Sequence, residues 1–590
     1  MKQNGLRWIL TFTCLACLAV ASIPPESGWA ASPPPPPSRT ADPTPAPTVS
    51  ERIGQLMTMW SLARSPEAAV AAAQNVASRQ SIAPADLGFT SRLPLLVFDW
   101  NPNFDPAGFS NCRFGTADLS RRQNAWLTTL GVGWHLNFSS QPWGQIDGIE
   151  YARVVNVRQN KDGCTYLDGY TISPPLTDRG LGALVDANPG TLWIVGNEPD
   201  RGPDPDNPND PDCRNRVQDD TYPEWYAQGY HDVYYFIKRR DPLAQVAIAG
   251  LVEVTPGRLQ YLDRVWETYV NNYHEPMPVD VWNMHLYILP EALPDGRPGG
   301  VAAVALGTDP AIAIRQSGDD PDRCPDPQVY CWAEHDDLGI FAEQVVAMRA
   351  WMKRHGQQNK PLILSEYSIL YPTWLRDEYG NYFTSERVAQ FMTSTLAYLE
   401  SAADPNLGYP GDEYRLVQQV LWFSINVSRN SAGSSSNLVD DSLTNLTGLG
   451  ELYKQEIARR PRAANLLPDP IAPVIAFTGG GGQATANLAV EVRNNGNVDA
   501  QSPFTVTFYA DSALQQPIGS AQTMTNLAGC ARRTTRVVVP WEGLSPGKHQ
   551  FWVKVDASDA VTESREDDNV TSGLVFVDPS QVLLPLTARQ

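Results

Sequence analysis

The chain has 590 residues, of which 42% are hydrophobic and 9% aromatic, so it has the apolar side chains for large folded cores and is not disordered throughout. Its 45 Lys and Arg against 65 Asp and Glu give a net charge of −20. Nucleic acids and anionic membranes bind positively charged surfaces, so neither is expected as a partner, whereas an uncharged ligand is not opposed.

The N-terminus has the pattern of an export signal. A basic start precedes an apolar run from Trp8 to Val20, and Ala19-Val20-Ala21 is a small-x-small cleavage site. The run is shorter than the roughly 20 residues of a membrane-spanning helix, and no later segment is apolar enough to span. We predict a signal peptide over 1–21, a proline-rich linker over 32–48, and a mature chain that is secreted or held at the cell surface.

The cysteines agree with an oxidising environment. Eight are present, and Cys14 and Cys17 leave with the signal. Sequence does not choose among the pairings of the other six, although Cys324 and Cys331 are close enough to staple one loop. Five of these six follow predicted strands, where disulfides would stiffen the loops that wall a cleft: Cys112, Cys164, Cys213, Cys324 and Cys331.

From residue 93 to about 460, β-branched and aromatic runs alternate with amphipathic stretches. The predicted strands are 94–100, 131–138, 151–158, 191–198, 245–254, 280–289, 361–370 and 416–425. Helical patterns occupy 223–240, 257–271, 338–354 and 385–400, whereas 139–149 is too short and glycine-rich for a full helix. This alternation predicts an α/β fold, a (β/α)8 TIM barrel over 51–467. An open doubly wound sheet is the alternative, but no Gly-x-Gly-x-x-Gly follows the first strand.

The pattern changes after PDPIAP (468–473) and the glycine tract 479–482, which indicates a second domain. Its strands alternate polar and apolar residues with period two, which predicts a small antiparallel β-sandwich over 471–578. The stretches VRNNGNVDA and VDASDAVTESREDDN resemble the bacterial CARDB type of immunoglobulin-like domain. The resemblance implies a spacer or adhesion unit without chemistry of its own. The short tail over 579–590 is similar to the ends of surface-sorting signals, so contact with the cell envelope through this module stays open.

Two glutamates end apolar strand runs in the predicted barrel. Glu198 lies in Asn197-Glu198-Pro199 at the end of strand four, and Glu366 ends strand seven. Catalytic groups of TIM barrels project from these carboxyl ends, and an unpaired carboxylate is costly to bury. Three βα units separate the two, which places them across the barrel mouth from each other, as glycosidic bond hydrolysis requires. A helix cap for Glu198 and a rim ion pair for Glu366 are the structural alternatives.

With Asn-Glu-Pro on strand four and a glutamate on strand seven, this region resembles clan A of the glycoside hydrolases, the retaining (β/α)8 enzymes. The resemblance implies that Glu198 is the general acid/base, that Glu366 is the nucleophile and that Asn197 binds the 2-hydroxyl of the sugar. Glu198 would then need a high pKa in the free enzyme. Ser-Glu-Tyr-Ser at strand seven departs from the Thr-Glu or Gly-Glu of a closer match.

Strands six and eight supply further candidates. Asn283, His285 and Tyr287 share one face of strand six by the two-residue period. The resemblance implies that Tyr287 donates a hydrogen bond to the nucleophile, that His285 shapes the first sugar subsite, and that Trp422 on strand eight forms its floor. Core packing is the alternative for His285 and Trp422. Weaker candidates for sugar contact are Trp100, Asn101, Trp134, His135 and Asn137.

The predicted function is hydrolysis of β-glycosidic bonds in a polysaccharide or oligosaccharide by a retaining two-glutamate mechanism, with an endo-β-glucanase as the first guess. This mechanism implies no metal or organic cofactor. The Asp-rich stretch 200–212 could hold calcium, but it lacks the Asp-x-Asp-x-Asp-Gly spacing of a calcium loop, which favours a solvated loop. The alternative is a non-catalytic surface glycan-binding or adhesion protein on a degenerate barrel. A carboxylate separation of about 5 Å favours the retaining enzyme, and more than about 10 Å favours the binding protein.

Overall fold

The computed structural model describes residues 110–202, 218–318, 320–429, 431–479 and 482–579. Several predicted features lie outside these residues. They are the signal peptide, the linker, the strand at 94–100, Trp100, Asn101, Cys213, and most of the Asp-rich stretch and the tail.

The N-terminal part of the described chain is built on parallel strands. In chain order they and their short companions are β1 (Asn111–Ala117), β2 (Val132–Leu136), β3 (Glu150–Tyr151), β4 (Arg153–Asp162), β5 (Thr165–Ser173), β6 (Leu192–Val195), β7 (Gln245–Ile248), β8 (Trp282–His285), β9 (Arg315–Gln316), β10 (Val329–Tyr330), β11 (Leu362–Tyr367) and β12 (Gln419–Trp422). One sheet has the order β3-β2-β1-β12-β11-β8, and a second has the order β5-β4-β6-β7. Apart from the antiparallel β4–β5 hairpin, neighbours in both sheets are parallel.

The first strand corrects one prediction. β1 pairs with both β2 and β12, and Thr116 lies opposite His135 on one side and Trp422 on the other. This is the position predicted for the first strand of the barrel, residues 94–100. The stretch NCRFGTA lacks a β-branched or continuous apolar run, so its pattern does not stand out. Gly115 is required there, because a Cβ would lie 2.7 Å from the indole of Trp134.

Helices connect most of the parallel strands. They are α1 (Arg121–Asn124), α2 (Leu127–Leu130), α3 (Ala183–Ala187), α4 (Pro223–Arg240), α5 (Pro256–Tyr273), α6 (Leu338–Arg354), α7 (Ser385–Ser401) and α8 (Gly448–Ala458). Proline at the first position begins α4 and α5, and side-chain caps from Thr255, Asp337 and Thr384 begin α5, α6 and α7. The four long helices match the predicted ranges to within two residues, and residues 139–149 contain no helix, as predicted. None of the described helices combines the length and the apolar composition needed to cross a membrane.

The C-terminal part is rich in β-structure. Its strands are β13 (Leu466–Pro468), β14 (Val474–Ala476), β15 (Ala484–Asn494), β16 (Phe504–Tyr509), β17 (Pro517–Met524), β18 (Thr534–Leu544), β19 (Gly547–Val555) and β20 (Val570–Val577). They form a sheet β13-β15-β18 and a sheet β14-β20-β19-β16-β17 around a core of its own. Pairing is antiparallel except between β14 and β20. The first of these strands, β13, pairs with β15 and precedes residue 471, the predicted start of the domain.

The C-terminal domain contacts the amino ends of the parallel strands. Cys112, at the start of β1, is joined to Cys530 by a disulfide, and its backbone N–H donates to Asn497 O at 2.9 Å. Arg113 binds Asp412 and also donates to Asn495 O at 2.8 Å. The prediction that Cys112 stiffens a loop of the cleft is therefore wrong, because β1 begins beside it and its side of the strand faces the second domain.

Candidate active site

Glu198 and Glu366 lie at the carboxyl ends of two parallel strands. Glu366 is the fifth residue of β11, and Glu198 follows β6 after a turn in which Gly196 has a φ of +91°. The backbone N–H of Glu198 donates to Gly250 O at 3.1 Å, which fixes the segment after β6 to the end of β7. The two glutamates are only 5% and 8% exposed, so both carboxyl groups are held away from bulk water.

A histidine joins the two carboxyl groups. His285 Nδ1 lies 3.0 Å from Glu198 Oε1 and 3.8 Å from Glu366 Oε2. The three side chains each place a donor or acceptor atom within 4.8 Å of the other two. Tyr287 OH donates to Glu366 Oε1 at 2.7 Å. The structure thus brings together four of the predicted site residues on the ends of β6, β8 and β11.

Burial and mutual charge shift the proton affinities of this cluster. Burial and the negative charge of Glu198 together raise the pKa of Glu366 to about 7, against the opposing effects of His285 and of the hydrogen bond from Tyr287. Burial also acts to raise the pKa of Glu198, but its hydrogen bond with His285 and the positive charge of that imidazole outweigh burial and lower it. The pKa of His285 is raised, because the two carboxylates outweigh the effect of burial.

This order differs from the expectation that Glu198 has the high pKa in the free enzyme. The physical reason is the position of His285, whose Nδ1 is closer to Glu198 than to Glu366. A protonated imidazole at that distance favours a carboxylate on Glu198. The lowered pKa of Glu198 and the raised pKa of His285 both favour a proton on the imidazole rather than on Glu198.

Asn197 sits beside the cluster with its side chain engaged by the next loop. Its Nδ2 donates to Gln218 Oε1 at 2.8 Å, and its backbone N–H donates to Asp219 Oδ2 at 2.9 Å. Asp219 also accepts from Asn156 Nδ2 at 2.9 Å, at the end of the parallel part of β4. These bonds fix the start of the Asn-Glu-Pro turn.

Sequence reasoning missed two residues that support the site. Gly250 is required beside His285, because a Cβ would lie 2.2 Å from the imidazole Cδ2. Arg258 in the first turn of α5 is fully buried and binds Asp200 Oδ2 at 2.7 Å and Glu291 Oε1 at 3.0 Å. It also donates to Ala302 O and Ala303 O, so it ties the segment after Glu198 to the loop after β8. A glycine after a strand and an arginine in a first helical turn give no distinctive sequence signal.

The aromatic candidates are placed differently. Trp422 is fully buried, packs edge-to-face on Tyr367 and donates its indole N–H to Ser436 O at 2.9 Å. It belongs to the core between strands and helices, so it is not available as the predicted floor beneath the sugar. Its neighbour Phe423 is half-buried instead and meets Phe138 edge-on, with ring centroids 6.2 Å apart.

The weaker candidates on β2 and directly after it are engaged in contacts elsewhere in the structure. Trp134 is buried in the inner core and donates its indole N–H to Val420 O. His135 is fully buried against Asp118, with 2.8 Å between Nδ1 and Oδ1. Asn137 is bound within its own loop, where its side chain accepts from Ser139. These contacts do not join the residues to the glutamate pair.

Two groups of described residues have the donor types of a metal site. One is Cys324, Cys331 and Glu378, but the two sulfurs form a disulfide, which leaves no thiolate. The other is Glu198, His285 and Glu366 itself, whose Nδ1 and Oε1 atoms are already joined to each other by a hydrogen bond. The expectation that no metal or organic cofactor takes part stays a prediction.

Comparisons with known proteins concern both parts of the chain. Residues 478–573 match the CARDB family. The chain is similar to a GH128 subgroup III curdlan-specific exo-β-1,3-glucanase from Blastomyces gilchristii, with 14% identity and a TM-score of 0.33 over 58% of this chain and 97% of that one. It is similar to a GH128 subgroup I endo-β-1,3-glucanase from Amycolatopsis mediterranei, with 14% identity and a TM-score of 0.34 over 58% and 98% of the chains.

The C-terminal domain has a structural likeness as well. It is similar to a CARDB domain from Pyrococcus furiosus, with 19% identity and a TM-score of 0.17 over 20% of this chain and 96% of that one. No curated protein matches the chain.

Proposed function

We propose that the protein is a secreted glycoside hydrolase that cleaves β-glycosidic bonds of a carbohydrate with retention of anomeric configuration. One observation carries the proposal. The buried carboxyl groups of Glu198 and Glu366 end two strands, and oxygens of the two lie within 4.8 Å of each other. Retaining pairs are about 5 Å apart, whereas inverting pairs are at least about 6.5 Å apart to admit a water.

In this mechanism Glu366 attacks the anomeric carbon while the bond to the leaving oxygen breaks. Glu198 gives that oxygen a proton, which it takes from His285 Nδ1 along the 3.0 Å hydrogen bond between them. A water then attacks the anomeric carbon, gives its proton to Glu198 and releases the Glu366 carboxylate. The hydrogen bond from Tyr287 favours the ionised form of Glu366 in both steps.

We also propose that the two parallel sheets are halves of one closed (β/α)8 barrel. Support comes from an inner core to which eight strand segments contribute, and whose buried members are Ala117, Trp134, Leu136, Ala152, Val154, Leu192, Ile194, Ala247, Val281, Ile363 and Leu421. Ala247 and Val281 form a parallel bridge between the two sheets on one side. On the other side the Ala152 N–H donates to His135 O at 2.9 Å, next to the start of β4.

Secretion and substrate class belong to the same proposal. Cys112–Cys530 and Cys324–Cys331 are disulfides and Cys164 is disulfide-bonded too, as expected of a chain that folds in an oxidising compartment. The Asn-Glu-Pro resemblance favours a β-glucan as the first substrate to test. The rival function, a glycan-binding or adhesion protein at the cell envelope, requires no close carboxylate pair.

The test is release of reducing ends from β-glucans, mannans, xylans and galactans by the parent chain and by Glu366→Ala. We expect the variant to lose about 10⁴-fold or more in kcat, since it has no nucleophile. Exposed Glu451→Ala on α8 is the matched control and should act like the parent. Azide added to Glu366→Ala should restore turnover and give a product of inverted configuration, which identifies the nucleophile.

If the parent chain releases no reducing ends but is retained on an insoluble glycan, the glycan-binding function would replace the proposed hydrolase. Release by Glu366→Ala equal to that of the parent would contradict the assignment of the nucleophile. A first product of inverted configuration from the parent would contradict the retaining mechanism.

A further inference from the structure

The loop after β11 presents three aromatic rings to solvent within nine residues. Trp374 is 61% exposed, Tyr379 is 59% exposed and Tyr382 is 41% exposed. Large exposed aromatic groups on one loop are a feature of binding surfaces, because solvent contact of apolar surface is unfavourable.

Polar side chains fix the loop that carries these rings. Arg376 and Tyr382 form an antiparallel bridge, and the guanidinium of Arg376 lies 4.6 Å from the Tyr382 ring centroid. Asp377, which is nearly buried, accepts from the backbone of Tyr379 and Asn381 and from Arg387 Nη1 at 2.9 Å.

A second anchor ties the same loop to the loop after β8. Glu378 accepts from Trp332 N at 2.8 Å and Ala333 N at 3.0 Å, next to the Cys324–Cys331 disulfide. The loop is thus ordered before any ligand arrives, so little conformational entropy is lost when its rings bind.

The loop that carries the three rings follows β11, the strand on which Glu366 lies. It begins eight residues after Glu366, a distance of at most about 28 Å for an extended chain. His335 joins the segment between β11 and this loop to the segment after β8, because its Nδ1 contacts Ile288 O at 2.8 Å and its Nε2 accepts from Leu370 N at 2.9 Å. Ile288 directly follows Tyr287 in the chain.

We propose that Trp374, Tyr379 and Tyr382 form a binding surface for a neutral polysaccharide chain, outside the sugar position at the two glutamates. Flat aromatic rings match the apolar faces of pyranose sugars, and Tyr hydroxyls and the Trp N–H can bind their hydroxyl groups. The net charge of −20 disfavours a polyanionic ligand. The inference rests on the proposed function in one respect only, which is that the bound polysaccharide extends from this surface to the two glutamates.

The test measures binding separately from hydrolysis. The full chain with Glu366→Gln, and the same chain with Trp374→Ala and Tyr382→Ala added, are titrated against suspensions of insoluble β-1,3-glucan and cellulose and against soluble laminaripentaose. We expect the added changes to weaken binding to the polymer about tenfold and to leave binding of the pentasaccharide within about twofold. Trp374→Phe, which keeps a ring, should retain most of the binding to polymer.

Phe477→Ala is the matched control, since Phe477 is a 71% exposed aromatic residue on the C-terminal domain. Unchanged polymer binding after Trp374→Ala and Tyr382→Ala would overturn the proposal, and so would a Glu366→Gln chain that binds neither polymer. Tenfold weaker binding together with no hydrolysis by the parent would leave this surface standing and overturn the proposed function instead.

Discussion

The ion pairs at the amino ends of the parallel strands and the glutamate pair at the carboxyl ends bury charged groups in opposite ways. At the amino ends, buried charges are paired with opposite ones, as in Arg113 with Asp412 and Arg532 with Glu150. At the carboxyl ends, Glu198 and Glu366 face each other with a single histidine between them. Like charges at this distance are unfavourable for folding. Because Arg258 at the carboxyl ends is itself paired with Asp200 and Glu291, the difference is confined to the glutamate pair, which keeps an unfavourable arrangement that chemistry can use.

The amino-end contacts make the C-terminal domain a structural part of the larger domain. They join residues that are hundreds of positions apart, such as Cys112 with Cys530 and Arg113 with Asn495. A module of the CARDB type is here fixed against the strands, far along the strand axis from the glutamates. Changes at this end should therefore alter stability and leave catalysis unchanged.

The largest expected effect comes from removing the disulfide between the domains. Cys112→Ser with Cys530→Ser should lower the free energy of unfolding by about 2–5 kcal/mol, because this bond closes a very long loop in the unfolded chain. The sequence separation is 418 residues, against 7 for the Cys324–Cys331 bond. Denaturant titration measures the change, and kcat/KM of the folded protein at 25 °C should stay the same.

Cys324→Ser with Cys331→Ser is the control, and its loss of stability should be smaller. A larger loss from the short loop, or a loss of activity in the folded Cys112→Ser, Cys530→Ser protein, would break the division between the two ends.

A smaller effect is expected from the ion pair beside that disulfide. Asp412 is fully buried, and although burial acts to raise its pKa, Arg113 and Arg415 lower it. Arg113→Met should cost about 3 kcal/mol, because a buried carboxylate loses one of its partners. A lowered pKa contributes stability above the pKa of the unfolded chain and loses it as pH falls through the folded pKa.

The measurement is unfolding as a function of pH. Since Arg113→Met raises the pKa of Asp412, its acid unfolding should begin at a higher pH than that of the parent. Lys554→Met removes a more exposed pair with Asp559 and should change the profile little. Identical acid unfolding of Arg113→Met and parent would show that this pair does not contribute to stability.

The smallest expected effect lies at the carboxyl end and concerns catalysis. Tyr287 donates a hydrogen bond that lowers the pKa of Glu366 against the effect of burial. In Tyr287→Phe that pKa rises above about 7, so less Glu366 is ionised at neutral pH. We expect kcat/KM at pH 7 to fall about tenfold, the size of a hydrogen bond to a charged group, and its acid limb to move to higher pH.

Tyr371→Phe is the matched control, because Tyr371 is also buried and its hydroxyl has no hydrogen-bond partner among the described residues. Its pH–rate profile should coincide with that of the parent. An unshifted acid limb in Tyr287→Phe would mean that Glu366 is not the group whose ionisation limits the rate.

The site was largely readable from local pattern. Glu198 and Glu366 end apolar runs, and the carboxyl ends of parallel strands share one edge, so their proximity followed from fold class. The two-residue period put His285 and Tyr287 on one face. The same reasoning misplaced Trp422, because the face of a strand that points inward changes with a shift of one residue in register, and its neighbour Phe423 packs against the inner core instead.

The sequence by itself determined the long helices, seven of the predicted strand positions and the four residues that meet at the glutamate pair. These features are local, because hydrophobic period and strand ends are recorded within about ten neighbouring residues. Tertiary structure alone decided that Asn111–Ala117 is a strand beside β2 and β12, that Cys112 pairs with Cys530, and that His285 lies closer to Glu198 than to Glu366. Each of these depends on packing between segments far apart in the chain, and no local pattern records which distant surface a residue will meet.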